Sequence, residues 1–117
     1  MVLETLKRVL GIEHPYTLLI MNNLALTYSD QGRWKEAEDL GVQVIGTNKR
    51  VLGVEHPDTL TSMNNLATSW ERQGRHTESL ELMKECVQLL TRVLGINHPK
   101  TISSSAALTR WQTEVRY

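Results

Sequence analysis

Apolar residues recur along the chain at spacings of three and four, with polar residues between them. In residues 15–30 the apolar positions Met21, Leu24, Ala25 and Tyr28 follow the i, i+3, i+4, i+7 order of one helix face. The same pattern returns 42 residues later. Because no segment alternates apolar and polar residues with a period of two, the pattern predicts helices and no strands.

Glycine and proline divide this pattern into separate helices. An eleven-residue motif with the form Arg-Val-Leu-Gly-x-x-His-Pro-x-Thr-(Leu/Ile) occurs three times, each copy 42 residues after the last. A glycine at positive φ commonly closes a helix, and a proline is well placed in the first turn of the next. The glycines are Gly11, Gly53 and Gly95, and the prolines are Pro15, Pro57 and Pro99.

These boundaries predict an all-α array of antiparallel helix pairs. One helix pair cannot bury its apolar stripe alone, so neighbouring pairs stack into an α–α superhelix. The third copy of the motif is followed by an atypical sequence, as expected of a terminal helix that meets water. A single array over residues 1–117 is therefore predicted, with a partial helix at 1–11, repeats at 15–53 and 57–95, and a capping helix at 99–115.

Composition narrows the range of partners. The chain has 13 Lys plus Arg and 13 Asp plus Glu, and such a balance gives no field that would attract nucleic acid or an acidic membrane. Cys86 is the only cysteine, which excludes an intrachain disulfide framework. No apolar run approaches the roughly 18 residues of a membrane span, and the N-terminus does not look like a secretory signal. We expect a cytoplasmic protein.

The repeated unit resembles a known family. Its small and aromatic positions look like the signature of tetratricopeptide repeats, and its 42-residue length resembles the longer repeats of kinesin light chains. It is most similar to the C-terminal repeats of fungal NACHT or NB-ARC receptor-like proteins. The residues that carry the resemblance are Asn22, Asn23, Leu24, Ala25, Tyr28, Gly32 and Ala37.

The resemblance implies a function in protein–protein interaction. In such solenoids the first helix of each unit lines a concave groove that binds a protein or peptide. The chain would then be the C-terminal sensing or scaffolding part of a larger receptor-like protein. No cofactor is implied, and the sequence contains none of the common nucleotide-binding, metalloprotease or redox motifs. We therefore expect a protein that is not an enzyme.

The asparagine pairs are the main candidates for a binding site. An amide both donates and accepts, so it can bind the backbone of an extended peptide whatever its side chains are. The alternative is that one asparagine of each pair makes a bond between helices and fixes the stacking of the repeats. The predicted groove residues are Asn22, Asn23, Leu26, Asp30, Asn64, Asn65, Thr68 and Arg72.

Other polar residues are assigned structural roles. Histidines that occur once per unit cannot converge on one ion, so His14, His56 and His98 are expected to shape helix starts rather than bind metal.

Gly41 and Gly46 lie inside a predicted helix, where each should cost about 1 kcal/mol relative to alanine. That helix is predicted to be the least stable one.

A second functional hypothesis is self-association without a separate ligand. The first predicted helix corresponds to only part of a repeat, so its apolar residues Leu3, Leu6 and Val9 would lie exposed. An exposed apolar patch favours pairing with another surface. The exposed N-terminal half-repeat is therefore a candidate contact between copies.

Overall fold

The computed structural model describes residues 2–114, which form six α-helices connected by short turns. No strand occurs within this range, so the predicted all-α class is confirmed. The helices are α1 (Val2–Val9), α2 (Pro15–Asp30), α3 (Trp34–Val51), α4 (Pro57–Arg72), α5 (His76–Leu94) and α6 (Pro99–Thr113).

Histidine side chains cap the N-termini of three of these helices. Each lies at the N-cap in extended conformation, directly before the first-turn proline. Its Nδ1 accepts the backbone N–H two residues further on, at 3.1 Å for His14, 3.0 Å for His56 and 3.1 Å for His98. This bond satisfies one of the N–H groups that the first turn of a helix leaves unpaired. The expectation that the histidines shape helix starts is confirmed.

The predicted glycine boundaries are also found. Gly53, which follows α3, has φ of +99° and donates its N–H to the carbonyl of Asn48 at 3.1 Å. Gly11 and Gly95 adopt φ of +88° and +90° after α1 and α5. Side chains other than glycine rarely adopt this region, so these positions end the helices locally.

Two predicted boundaries differ from the structure. The first helix ends at Val9 rather than at residue 11, because Leu10 and Gly11 already belong to the turn. The last helix ends at Thr113, and Glu114 has extended backbone. Residue 115, the predicted end of the capping helix, lies outside the described residues.

The helices stack in chain order, and the described array measures 46 × 31 × 19 Å. Each of α2 to α5 packs against the helices before and after it, and α2 also contacts α4. A small apolar cluster joins α1, α2 and α3, while a larger one runs from α3 to α6 and includes Trp111. Trp111 is 5% exposed and closes the last layer of the core, as expected for a capping helix.

One expectation for α1 is wrong in part. Leu3 is buried against Leu18 and Met21, because α1 packs on α2 through this side chain. Val9 is exposed as predicted, and Leu6 is partly buried. Val2, which was not among the predicted residues, is exposed instead.

Two ion pairs related by the 42-residue period join each second helix to its own unit. Arg50 in α3 binds Glu13 in the turn before α2 at 2.7 Å, and Arg92 in α5 binds Glu55 in the turn before α4 at 2.5 Å. All four side chains are exposed, so each pair contributes at most about 1 kcal/mol. The pairs do show that in both complete units the second helix contacts the turn before the first helix in the same way.

A second repeated pair stands at the start of each second helix. Arg33 hydrogen-bonds Glu36 at 2.8 Å, and Arg75 binds Glu78 in the same register. These hydrogen bonds hold the pKa of each carboxyl below its ordinary value. The stabilisation is present at neutral pH and is lost only in acid, as the carboxylates become protonated.

The single cysteine belongs to the core. Cys86 is completely buried in α5, and its thiol donates to the carbonyl of Leu60 at 3.4 Å. Burial raises the pKa of the Cys86 thiol to about 12, and the nearby charge of Glu85 adds to this shift. At pH 8 the folded protein therefore holds almost no thiolate, which is the reactive form.

We expect Cys86 to resist thiol reagents until the protein unfolds. At pH 8 its reaction with DTNB should be slower by about a thousandfold than in denaturing urea, given an ordinary cysteine pKa near 8.5. Absorbance at 412 nm follows the reaction. Rapid labelling of the folded chain would mean that α5 is not packed as described.

Candidate functional site

The first helices of successive units lie side by side and form one surface, which we call the first-helix surface (α2, α4 and α6). Two hydrogen bonds with equivalent partners hold these helices together. Ser62 in α4 donates to the Oδ1 of Asn22 in α2 at 3.2 Å, and Ser104 in α6 donates to the Oδ1 of Asn64 in α4 at 2.7 Å. Lys100 adds a contact to Thr61 at 3.3 Å.

The two asparagines of each pair are therefore placed differently. Asn22 and Asn64 are partly buried and bridge consecutive first helices through their side-chain oxygens. Asn65 donates its amide to Asn22 Oδ1 at 3.5 Å, while Asn23 is exposed. The first asparagine of each pair thus makes the stacking bond that was the alternative to ligand binding.

The remaining predicted groove residues lie on the same three-helix surface. Leu26 is exposed, and Thr68 donates its hydroxyl to the carbonyl of Asn64, one turn earlier, at 2.9 Å. Asp30 and Arg72 form an ion pair between α2 and α4 at 2.8 Å. Their charges neutralise each other, so this end of the surface offers no strong preference for charged ligands.

A cavity of about 400 Å³ opens between α2, α3 and α4, near the starts of the first helices. Leu18, Leu19 and Leu52 form the apolar part of its wall. The polar lining residues include Asn22, Asn48, Ser62, His56, Asp58 and Lys100.

Asn48 is the unusual residue of this cavity. Its side chain is 3% exposed, and its amide donates to the hydroxyl of Ser62 at 3.2 Å. Its Oδ1 is buried and accepts no hydrogen bond from any described residue. A buried carbonyl oxygen without a donor costs about 1–3 kcal/mol, so the position is unfavourable for folding alone.

The repeat alignment would have identified Asn48 from the sequence. The equivalent positions 42 residues earlier and later are Leu6 and Leu90. A polar residue at a position that is leucine in both other copies is a clear exception to the repeat pattern. It was not predicted as a site residue because it lies in a second helix, and the predicted site residues all lie in first helices. The equivalent cavity between α4, α5 and α6 has a volume of about 270 Å³. It is lined by the apolar Leu90 at the position that Asn48 occupies in the first cavity.

Other kinds of site are not supported by the described residues. Within residues 2–114, no three His, Cys, Asp or Glu side chains lie together in a way that could hold a metal ion. No helix of this range is both long and apolar enough to cross a bilayer.

Comparison with known proteins identifies the family. The tetratricopeptide-repeat profile matches residues 17–58 and 59–100, two windows of one period each. The chain belongs to the tetratricopeptide-repeat family. Repeats of this family generally mediate protein–protein interaction, and the fold is a non-catalytic scaffold.

Solved structures agree with this assignment. A putative kinesin light chain from Podospora anserina, with nearly identical tetratricopeptide-like repeats, is 31% identical in sequence and superposes with a TM-score of 0.86. A second structure, of a single-substitution variant of that protein, gives the same values. The match covers 94% of this tetratricopeptide-repeat chain and 52% of the chain in either structure, so this array spans about half of their length. No curated protein sequence gave a significant match.

Proposed function

We propose that this tetratricopeptide-repeat array is an interaction module that binds an extended peptide segment of a partner protein along the first-helix surface, which would be the concave face. The observation that carries the proposal is the open cavity beside this surface, which Asn48 lines with a side chain whose buried Oδ1 has no hydrogen-bond donor. No catalytic step is assigned to the chain.

The chemistry of the cavity favours a peptide ligand. A backbone N–H is a donor of the right kind for Asn48 Oδ1. Because this oxygen has almost no exposed surface, the Asn48 side chain must turn toward the cavity to accept the bond, which would then remove the cost of leaving the oxygen unpaired. The leucines beside it can take an apolar side chain of the same segment. A peptide in extended conformation presents both groups together.

The predicted groove residues fit this arrangement. The stacking bonds use the Oδ1 atoms of Asn22 and Asn64, so their amide nitrogens are left to donate to a partner. Asn23 and Leu26 lie exposed beside them. The proposed contact set remains Asn22, Asn23, Leu26, Asp30, Asn64, Asn65, Thr68 and Arg72, with Asn48 added as the anchor.

We further propose that the array serves as the C-terminal sensing or scaffolding part of a larger receptor-like protein. The support is the sequence resemblance to repeats of fungal NACHT and NB-ARC proteins. A pull-down with the full-length protein, competed by this 117-residue chain, tests it. Partners that are released by the fragment support the proposal, and partners that are all retained contradict it.

The peptide proposal can be tested with a displayed random peptide library. Peptides selected on the immobilised chain should bind the variant Leu19→Lys at least about tenfold more weakly, a loss of about 1.4 kcal/mol, because the lysine places a charge in the apolar wall of the cavity. Leu19 is largely exposed, so the fold should tolerate the change. Isothermal titration calorimetry gives the affinities.

Val42→Lys is the matched control. Val42 is exposed to a similar degree on α3 and does not line the cavity. Its equivalent one period later is Lys84, so the substitution is compatible with the repeat. If the selected peptides bind Leu19→Lys as tightly as they bind Val42→Lys, the cavity is not the binding site.

A further inference from the structure

The first-helix surface carries two cavities of the same design. The first cavity lies between α2, α3 and α4, and the second cavity lies between α4, α5 and α6. Each is lined by a leucine, an asparagine and a serine at equivalent repeat positions, namely Leu18, Asn22 and Ser62 in the first and Leu60, Asn64 and Ser104 in the second. A peptide that runs along this surface therefore meets two related sites in succession.

The open rims of these cavities are a property of the repeat. The first cavity has α1 before its helices and α5 after them, yet it is open, and its rim residue Asp58 is 72% exposed. Lys100 occupies the same repeat position on the rim of the second cavity and is also exposed. Because Asp58 is exposed with complete helices on both sides, the exposure of this rim position does not depend on a missing neighbour.

The two cavities differ in chemistry at three equivalent positions. The first has leucine, asparagine and aspartate where the second has threonine, leucine and lysine. The pairs are Leu19 and Thr61, Asn48 and Leu90, and Asp58 and Lys100. The last pair reverses the charge at the rim, so a charged ligand that spans both cavities meets two different ends.

Both rim charges are available to a partner. Within residues 2–114, Asp58 meets only His56, at 4.0 Å, and the Nδ1 of this histidine accepts the backbone N–H of Asp58 instead of carrying a proton. Lys100 donates to the neutral hydroxyl of Thr61 at 3.3 Å. Neither charge is therefore neutralised by an ion pair among the described residues.

Two features direct an anion to the second cavity. Lys100 contributes to the lining of both cavities, but Glu13 and Asp58 line only the first, and no described carboxylate lines the second. The N-terminus of a helix carries a partial positive charge that favours a nearby anion. Asp58 offsets this charge in the first turn of α4, whereas the first turn of α6 contains no acidic residue.

The spacing of the helices sets the spacing of the ligand groups. Packed helices lie about 8–10 Å apart, and an extended chain rises about 3.3 Å per residue, so equivalent points of the two cavities are about three peptide residues apart. We propose that the two cavities bind one peptide in a single direction, with a basic side chain at Asp58 and an acidic side chain at Lys100. This inference rests on the proposed function, which it extends from one cavity to both.

The selected peptides give the first test. Most peptides from the displayed library should carry a Lys or Arg and an Asp or Glu about three residues apart, in the same order along the peptide. A selection without such pairs, or with both orders equally frequent, would contradict a single direction.

Exchanging the two charged side chains of one selected peptide gives the second test. The exchange keeps the composition and net charge of the peptide, but it should weaken binding to the wild-type chain about tenfold at low salt, because two exposed ion pairs worth about two- to fivefold each become repulsive contacts. In about 1 M salt, where the screening length is about 3 Å, the difference should disappear. Calorimetric titration measures both affinities.

The double variant Asp58→Lys with Lys100→Asp should reverse this preference and bind the exchanged peptide more tightly. Each substitution introduces the residue of the equivalent position, so both fit the repeat, and circular dichroism should show unchanged helicity. Equal affinity of the two peptides for the wild-type chain would overturn the inference, and so would a folded double variant that keeps the wild-type preference.

Leu19→Lys separates a failure of this inference from a failure of the proposed function. If the two peptides bind equally well but Leu19→Lys still weakens both about tenfold, the peptide site stands and the single direction is wrong. If Leu19→Lys leaves both affinities unchanged, the first cavity is not the site and both proposals fail.

Discussion

Replacing Asn48 by leucine should stabilise the protein and weaken peptide binding together. We expect the free energy of unfolding to rise by about 1–2 kcal/mol, because the substitution removes a buried carbonyl oxygen that has no donor. Leucine is the residue at the equivalent positions 6 and 90, and Leu90 is buried in the next unit. The substitution therefore fits the repeat.

The same change should reduce the affinity of selected peptides by about tenfold or more, since the partner loses a hydrogen bond worth about 1.4 kcal/mol in a buried setting. Stability and affinity would then move in opposite directions, which is typical of a residue kept for function rather than for folding.

Urea unfolding followed by circular dichroism at 222 nm gives the stability, and calorimetric titration gives the affinity. Asn64→Ala is a useful comparison, because Asn64 accepts a bond from Ser104 and its loss should lower stability. If Asn48→Leu destabilises the chain, either the Oδ1 is paired in the folded protein, for example by an internal water, or the lost hydrogen bond from Asn48 to Ser62 outweighs the gain. If affinity is unchanged, Asn48 is not the anchor.

Two glycines of α3 should respond in opposite ways when each is replaced by its equivalent from the next unit. Gly41→Met should lower the free energy of unfolding by about 1–3 kcal/mol, the usual effect of overpacking. A Cβ at Gly41 would already lie 3.3 Å from Cδ1 of Leu66, and a methionine adds three further heavy atoms beyond this Cβ. Gly46→Gln should raise stability by about 0.5–1 kcal/mol, because a Cβ there meets nothing within 4 Å and glutamine favours the helix.

The sign difference between these variants is the informative result. A purely local account of helix propensity predicts that both substitutions stabilise α3. The urea midpoints of the two variants distinguish this local account from one that includes the contact between Gly41 and Leu66. Stabilisation by Gly41→Met would mean that α3 and α4 can move apart without cost.

Local sequence predicted the helices because their boundaries are local. The histidine caps bind an N–H two residues away, and the terminal glycines adopt positive φ whatever their tertiary neighbours are. The apolar period then placed core residues correctly, including Met21 and Ala25. The prediction that α3 is the least stable helix stays a prediction, although the contact at Gly41 supplies a reason for one of its glycines.

The candidate site could be predicted only in part. The asparagine pairs were found because they recur, but their two roles could not be separated. Which asparagine meets Ser62 or Ser104 depends on how far one unit is rotated against the next, and the partners lie 40 residues apart in sequence. For the same reason Leu3 was predicted to be exposed, whereas it is buried and the neighbouring Val2 is exposed.

The 42-residue period by itself determined the fold class, most helix boundaries and the family, because each of these follows from contacts within a few residues or from repetition. Only the tertiary structure decided that Asn22 and Asn64 hold neighbouring repeats together, and that Asn48 Oδ1 is buried without a donor beside an open cavity. These features arise where units pack together, and the stacking geometry that creates them is not encoded in any one unit.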